Sequence, residues 1–367
     1  AGGGLDDGND AVWNRVIELG GGVGGAKFGV ISSASENPCC DEDSSWVYYR
    51  DQLTRYGAAE VYYIPVTMDT KGNNSDPAVV AKVRTLTGFF FGGGDQSRII
   101  YSFYNDDERM PSPVLTAIKE TVLSVGGVVA GTSAGTDCQT SKVFVMISGG
   151  ESYDSLRDGT SVFWRSVHPY DAKILAAFGS GGLGFFTFGL LDTHFANRGR
   201  HGRLVELVVD TLPLPMGHSR AFGIDENTAL VVTGPWDHRI GTVIGEGGVN
   251  VFDVSAATVM LKDKYNVWHA RISEGDVIDL DSFRVSFAPY KNLMSKNEID
   301  VEPYSSRDIF RVGTFEVDKM AQSLFRSTSR SCSGTTFQSS PKFRVKMSKD
   351  WSSEAGVYNS ALGAEGI

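Results

Sequence analysis

Two short apolar runs that break directly into glycine-rich loops constrain the fold of this chain more than any other feature. Residues 88–91 continue into the loop 92–96, and residues 127–130 continue into the loop 131–135. Runs of this length and composition are typical of strands buried on both faces of a parallel sheet. Because ligand sites in such sheets lie beyond the carboxyl ends of the strands, the sequence predicts that the two loops lie close together.

The first half of the chain alternates short apolar runs with helix-like stretches. Strands are predicted at 15–19, 27–32 and 61–66, and helices at 45–56, 77–86 and 112–125. This alternation predicts βαβ units and therefore an α/β fold with a doubly wound, mostly parallel sheet.

The regular alternation of predicted strands and helices ends near residue 256, and a Ser-rich stretch follows at 327–340. We therefore divide the sequence into an α/β domain at 1–255 and a C-terminal extension at 256–367. The extension is expected to be mostly β or irregular.

Composition excludes several function classes. The chain has 367 residues and a formal net charge of −10, with no dense run of Lys and Arg, so no nucleic-acid partner is expected. No apolar stretch approaches the roughly 18 residues that span a bilayer, so no membrane segment is expected. The start Ala-Gly-Gly-Gly, without a signal peptide, and a glycosylation sequon at 73–75 favour a secreted protein.

Metal and nucleotide sites are also not expected. The Cys and His spacing matches no zinc site. The loop 20–25 fits G-x-G-x-x-G, but that fingerprint needs a helix directly after it, whereas 27–31 predicts a strand. The four cysteines are Cys39, Cys40, Cys138 and Cys332, and the vicinal pair is expected to form bridges to distant partners rather than to each other.

The loop 131–135 reads Gly-Thr-Ser-Ala-Gly and fits the nucleophile-elbow pattern G-x-S-x-G. Such a turn exposes the serine hydroxyl at the sheet edge, and the N–H of the next residue, Ala134, can donate to a developing oxyanion. Together with the buried run upstream, the pattern predicts Ser133 as a nucleophile.

A serine nucleophile needs a base. Among six histidines, His194 stands at the end of a predicted buried strand, in Leu-Leu-Asp-Thr-His-Phe. The base in turn needs a carboxylate that fixes its tautomer. Spacing does not choose among the candidates, which are Glu151, Asp154, Asp192, Asp225 and Glu226.

Three arginines follow the histidine, at Arg198, Arg200 and Arg203. On the first turns of a helix they would direct guanidinium groups and backbone N–H groups toward an anion. The cluster predicts recognition of a substrate carboxylate, with a solvated basic turn as the alternative.

Four separated motifs, in the same order over residues 14–254, resemble those of cyanophycinases and related S51 peptidases. They are Gly-Gly-Asp-Gln at 93–96, Gly-Thr-Ser-Ala-Gly at 131–135, Asp-Thr-His-Phe at 192–195 with its arginines, and Gly-Ile-Asp-Glu-Asn-Thr-Ala at 223–229. The resemblance implies a flavodoxin-like fold, often a homodimer, and no cofactor. It also implies exo-cleavage of cyanophycin, an aspartate polymer with arginine on its side chains, to release β-aspartyl-arginine.

The resemblance also assigns roles to residues. It implies Ser133 as nucleophile, His194 as general base and Glu151, in preference to Asp225 and Glu226, as the third member. Residues resembling the family's substrate pocket are Gln96, Asp192, Thr193, Arg198, Arg200 and Arg203. Gly94 is expected to join Ala134 as an oxyanion donor. Thr193 stands where the family commonly has glutamine, which puts the choice of substrate in question.

The leading hypothesis is therefore hydrolysis of an Asp-containing peptide or isopeptide through an acyl-enzyme on Ser133. Two alternatives remain open. One is a non-catalytic secreted protein with a storage, structural or ligand-binding role that keeps the fold. The other is a general serine esterase, which the arginine cluster disfavours because it suits an anionic substrate.

Overall fold

The computed structural model describes residues 1–105, 110–140, 145–148, 150–163, 175–178, 181–215, 217–235, 237–260, 263–293, 298–350, 352–353 and 355–358. Its helices are α1 (Asp10–Leu19), α2 (Ser45–Arg55), α3 (Pro77–Val83), α4 (Gln96–Phe103), α5 (Pro113–Glu120), α6 (Ala134–Asp137), α7 (Ser152–Asp158), α8 (His201–Thr211) and α9 (Glu316–Arg326).

A four-stranded parallel sheet forms the centre of the α/β part. Its strands are β1 (Lys27–Ile31), β2 (Glu60–Tyr63), β3 (Gly88–Phe91) and β4 (Val128–Gly131), in the order β2-β1-β3-β4. The register sets Phe91 opposite Gly131, so the loops that follow β3 and β4 leave the same edge side by side. The predicted α/β fold and the proximity of the two loops are both confirmed.

Helices cover both faces of this sheet, because successive apolar side chains of its strands point to opposite faces. Phe89 and Phe91 of β3 belong to a core shared with α3, α4 and α5, whereas Phe90 belongs to a core shared with α1 and α2. All three phenylalanines are buried. Because the side chains of a strand alternate between its two faces, β3 contributes to two separate cores.

The helix α1 lies where the sequence predicted a strand at 15–19. The side chain of Asn9 caps the helix by accepting a hydrogen bond from the backbone N–H of Val12, at 3.2 Å. Trp13 and Ile17, four residues apart, are both buried on its inner face. The apolar residues thus follow helical spacing, and the strand prediction was wrong.

The remaining strands form sheets of two to four strands. They are β5 (Val145–Ser148), β6 (Ser161–Phe163), β7 (Ala176–Phe178), β8 (Leu190–Asp192), β9 (Arg220–Ile224), β10 (Thr228–Thr233), β11 (Ile240–Gly245), β12 (Gly248–Asp253), β13 (Thr258–Met260), β14 (Asp263–Tyr265), β15 (Trp268–Ser273), β16 (Val277–Asp279), β17 (Arg284–Ser286), β18 (Lys291–Leu293), β19 (Ser331–Thr335), β20 (Arg344–Ser348) and β21 (Gly356–Tyr358). Two four-stranded sheets have the orders β15-β12-β9-β8 and β10-β11-β16-β17.

These two sheets continue across the boundary placed after residue 255. Strand β15 pairs with β12, and β16 pairs with β11, both antiparallel. The first part of the extension therefore supplies strands to sheets that begin before it. Further along, α9 packs with β19 and β20 around a small core that contains Val317, Met320 and Leu324.

The cysteines differ from expectation. Cys39 and Cys40 are joined to each other in a vicinal disulfide, and Cys138 and Cys332 are buried free thiols. The expectation of bridges to distant partners was wrong. Within the described part of the chain, none of the helices is long and apolar enough to cross a membrane.

Candidate active site

Ser133 occupies a tight corner between β4 and α6. Its φ is +52°, a value that few non-glycine residues adopt. The flanking glycines leave no room for side chains: a Cβ on Gly131 would lie 2.2 Å from the Gly135 carbonyl oxygen, and one on Gly135 would lie 2.0 Å from that of Phe91. Gly131 is therefore required by close packing within the turn, and Gly135 by packing of the turn against β3.

His194 follows the end of β8 and reaches the serine. Its Nε2 lies 2.8 Å from Ser133 Oγ. Burial lowers the pKa of His194; the hydrogen bond with Glu226 opposes this shift, and the nearby charge of Arg198 adds to it. The imidazole is thus neutral near pH 7, the state in which it can accept a proton.

Glu226, in the turn between β9 and β10, holds the other side of the imidazole. Its Oε1 lies 2.6 Å from His194 Nδ1. Because an ionised carboxylate only accepts hydrogen bonds, Nδ1 carries the proton and Nε2 is left to accept from the Ser133 hydroxyl. We refer to Ser133, His194 and Glu226 as the relay.

The structure thus pairs His194 with Glu226 and not with Glu151. Glu151 is exposed and precedes the first residue of α7. The register of the sheet explains the difference, because β8 and β9 are parallel with Asp192 opposite Gly223. Residues shortly after these two positions are therefore neighbours, which brings Glu226 to His194. The pairing of β8 with β9 is the signal that would have selected Glu226.

Two of the three arginines are engaged in a buried ion-pair cluster. Arg203 donates from Nε to Asp192 Oδ2 at 2.8 Å and also binds Oδ1 through Nη2, and Arg200 donates to the Thr193 carbonyl oxygen at 2.7 Å. Burial opposes ionisation of Asp192, but the charge and hydrogen bonds of Arg203, and then Arg200, outweigh it and lower the pKa of Asp192. Arg203 and Asp192 are therefore an internal pair beneath the loop that carries His194.

Arg198 differs from the other two. Its side chain is 46% exposed, and its Nε lies 3.8 Å from Glu226 Oε1. Of the three predicted carboxylate-binding arginines, Arg198 has the most exposed side chain.

A cleft of about 480 Å³ opens beside Ser133 and His194. Several of its lining residues were not identified from the sequence, namely Asp6, Asp7, Trp13, Tyr48 and Tyr49. Asp6 and Asp7 are exposed, and the Tyr48 hydroxyl donates to Asp7 Oδ1 at 2.7 Å. The cleft is therefore aromatic and carries negative charge, which the arginine cluster did not lead us to expect.

Curated relatives of this chain were found by sequence comparison. No protein-family model matches the sequence. Curated cyanophycinases of Synechococcus elongatus and Thermosynechococcus vestitus are each 27% identical to this chain over 273 residues, which covers 71% of this chain and 71% of each relative. The cyanophycinase of Geminocystis herdmanii is 27% identical over 260 residues, covering 71% and 79%. The chain is similar to these cyanophycinases over about 71% of its length, which supports an assignment to the cyanophycinase (peptidase S51) family.

The similarity to curated cyanophycinases supports a peptidase of the S51 type. Among solved structures, a peptidase from an acI-B1 actinobacterium has 21% identity and a TM-score of 0.49, covering 76% of this chain and 94% of that one.

The remaining residues singled out from the sequence are Gln96 and Thr193. Gln96 is the first residue of α4 and follows Asp95, whose side chain caps that helix. The Thr193 hydroxyl donates to buried Asp137 at 3.0 Å, and its carbonyl oxygen accepts from Arg200. Burial, with repulsion from Asp192, raises the pKa of Asp137 to about 7. Thr193 thus belongs to the buried cluster with its hydroxyl committed inside the protein.

The two glycines before Asp95 have different surroundings. Gly93 lines the cleft, a Cβ there would lie 3.3 Å from Ser133 Cβ, and its N–H donates to Tyr49 Oη at 3.0 Å. Gly94 has φ +137°, and a Cβ there would lie 2.2 Å from the Ala34 carbonyl oxygen. Gly93 is therefore packed against Ser133, and Gly94 is required by its backbone conformation and by Ala34.

A possible cation site lies elsewhere on the surface. Side-chain ligand atoms of His238, Asp279 and Asp281 approach within 4.8 Å of one another. Asp279 Oδ1 already accepts from the backbone N–H groups of Asp281 and Ser282, and Asp281 Oδ2 accepts from that of Arg239. Acidic side chains that stabilise a turn make hydrogen bonds of this kind, so the proximity of Asp279 and Asp281 is explained without a metal.

Proposed function

We propose that this S51 peptidase uses Ser133 as its nucleophile and hydrolyses peptide or isopeptide bonds of an aspartate-containing polymer. The observation that carries the proposal is the relay, in which His194 lies within hydrogen-bond distance of both Ser133 Oγ and Glu226 Oε1. A serine hydroxyl becomes an effective nucleophile when an adjacent base is held in this way.

The reaction follows from these contacts. His194 Nε2 takes the hydroxyl proton as Ser133 Oγ bonds to the scissile carbonyl carbon, and Glu226 stabilises the imidazolium that forms. The imidazolium then returns the proton to the leaving amine as the carbon–nitrogen bond breaks, which leaves an ester on Ser133. Water, deprotonated by His194, attacks this ester and releases the acid and the free serine.

The developing oxyanion needs donors. Ala134 is the first residue of α6, and the first N–H groups of a helix have no intrahelical acceptor. Its N–H is our candidate for one donor, and the N–H of Gly94 is our candidate for the second. The N–H of Gly93 is less suitable because Tyr49 Oη already accepts it.

Cyanophycin is the substrate we propose, on two grounds. The curated relatives are cyanophycinases. The polymer also carries guanidinium groups, which suit a cleft with the exposed carboxylates of Asp6 and Asp7 and the rings of Tyr48 and Tyr49. The exposed guanidinium of Arg198 suits a substrate carboxylate.

The test is release of β-aspartyl-arginine from cyanophycin by the purified protein and by Ser133→Ala. We expect release by the wild type and a loss of at least about 1,000-fold in the variant. A parallel arm measures labelling of each protein by diisopropyl fluorophosphate, which transfers its phosphoryl group to an activated serine and loses fluoride.

Each outcome decides a different part of the proposal. Labelling without release would retain the nucleophile and refute cyanophycin as the substrate. Neither labelling nor release by the wild type would refute the serine mechanism and favour a non-catalytic protein that keeps the fold.

A further inference from the structure

Residues 2–4 lie against His194 and Glu226 of the relay and have no role in the mechanism above. The carbonyl oxygen of Gly2 accepts from the His194 backbone N–H at 2.6 Å, and the Gly2 N–H donates to the Thr228 carbonyl oxygen at 2.9 Å. The carbonyl oxygen of Gly3 accepts from the Asn227 N–H at 2.9 Å. Residues 2–4 are therefore hydrogen-bonded both to the histidine and to the turn that carries Glu226.

The packing of this segment against the imidazole is closer than any side chain permits. A Cβ on Gly3 would lie 2.3 Å from both Cε1 and Nε2 of His194, and a Cβ on Gly4 would lie 3.3 Å from Glu226 Cβ, Cγ and Cδ. Gly3 is buried, with a φ of +94°. The backbone at Gly3 thus forms a wall against the edge of the ring that faces Ser133.

His194 needs such support because its own backbone is strained. Its φ is +49°, which a non-glycine residue keeps only when surrounding contacts impose it. The hydrogen bond from its N–H to Gly2 fixes this backbone, and Gly3 limits rotation of the ring. One neighbouring contact extends to the nucleophile, since the Ser133 N–H donates to the Ala1 carbonyl oxygen at 3.2 Å.

We propose that residues 2–4 form a positioning segment, the glycine strap, that holds the His194 imidazole in line with both Ser133 and Glu226. The inference rests on the proposed serine mechanism. The strap contributes no reacting group; it acts by restricting the ring to the one orientation in which both nitrogens keep their hydrogen bonds. Glycine is required at position 3 because a methyl group there would overlap the imidazole.

The experiment compares Gly3→Ala with Gly22→Ala. Gly22 is a matched control because its φ is +80° and nothing in the described part of the chain lies within 4 Å of a Cβ there. Both variants impose the same kind of backbone strain, but only Gly3→Ala displaces the imidazole. We expect kcat to fall about 100-fold in Gly3→Ala with KM little changed, because a 1 Å displacement of a base has an effect of this order. Gly22→Ala is expected to keep the wild-type kcat.

The rate of Ser133 labelling by diisopropyl fluorophosphate, measured across pH, separates this inference from the proposal beneath it. A wild type that is not labelled would refute the serine mechanism itself. If the wild type and Gly3→Ala are labelled at equal rates with the same pH profile, the strap is refuted while the mechanism stands. Slower labelling of Gly3→Ala alone supports the strap.

A second variant covers the case in which Gly3→Ala does not fold. Gly4 is exposed, its φ of +51° lies in the left-handed region open to alanine at moderate cost, and its Cβ would press on Glu226. We expect folded Gly4→Ala to lose at least about threefold in the labelling rate. An unchanged rate in this variant would contradict the strap.

Discussion

At the scale of single residues, Glu226 and Glu151 have the same side chain but only Glu226 is placed to orient the histidine. Glu226 lies in the turn between β9 and β10 and contacts His194 Nδ1, whereas Glu151 is exposed before α7. The backbone N–H of Glu226 also donates to Asn197 Oδ1 at 3.0 Å, which fixes the turn from which its carboxylate extends. One carboxylate is positioned by two elements, and the other faces solvent.

Glu226→Gln is expected to reduce kcat by about 100- to 10,000-fold, because an amide no longer stabilises the imidazolium and permits the wrong tautomer. Glu151→Gln is the matched control and is expected to keep kcat within about threefold of the wild type. Steady-state kinetics of β-aspartyl-arginine release measures both. A larger loss in Glu151→Gln than in Glu226→Gln would restore the assignment made from the family resemblance.

At the scale of elements, the start of α8 serves two purposes. Arg203, within the helix, is buried against Asp192 at the end of β8, while Arg198, in the turn before it, is about half exposed. Three arginines within six positions therefore divide into an internal ion-pair cluster and a surface cation. The two arginines face different environments because Arg198 lies before the left-handed Gly199, outside the helix, whereas Arg203 lies on the buried first turn of α8.

Arg203→Met should lower the free energy of unfolding by about 3–5 kcal/mol, because it leaves Asp192 buried beside Arg200 alone. Arg198→Met is the matched control, expected within about 0.5 kcal/mol of the wild type because its side chain is exposed. Urea unfolding followed by fluorescence measures both. Similar stabilities for the two variants would mean that the Asp192 cluster is not a structural pair.

At the scale of the whole molecule, the extension is joined to the site through buried charge. Arg271 of β15 donates to Asp225 Oδ2 at 3.0 Å and lies 3.1 Å from Asp318 of α9. Asp225 in turn accepts from the Ala196 N–H at 2.8 Å, two residues after His194. The helix α9 is therefore connected, through Arg271 and Asp225, to the loop that carries the histidine.

Arg271→Met is expected to destabilise the protein by about 3–5 kcal/mol at pH 7.5, since two buried carboxylates lose their common cation. Burial already raises the pKa of Asp225 to about 6 and also raises that of Asp318. A carboxyl whose pKa is higher in the folded state favours folding at low pH, and this contribution is lost as pH rises through the folded-state pKa. The penalty of the substitution should therefore be smaller at pH 4.5 than at pH 7.5.

Urea unfolding of Arg271→Met at the two pH values checks this, with Arg330→Met as the control. Arg330 lies in the same extension, and its side chain is 66% exposed. A penalty for Arg271→Met that is independent of pH would show that neither carboxylate takes up a proton when the cation is removed.

Much of the fold and part of the site followed from local pattern. The strands at 27–31 and 88–91 and the elbow at Ser133 are encoded by contiguous residues: apolar runs buried on two faces, then glycines where the backbone approaches within van der Waals contact. The helix at 10–19 was missed because a five-residue window, 15–19, was too short to show the helical spacing of Trp13 and Ile17.

Only the tertiary structure decided which residues meet. The pairing of β8 with β9 placed Glu226 on His194, and the buried Asp192 drew Arg200 and Arg203 away from the cleft. The passage of residues 2–4 against the imidazole joins positions nearly two hundred residues apart, and no local pattern predicts it. Sequence determines local conformation through sterics and periodicity, whereas sheet register and burial of charge depend on which distant segments pack together. In this chain, the sequence by itself therefore predicted the elbow at Ser133, whereas the pairing of β8 with β9 determined that Glu226 is the partner of His194.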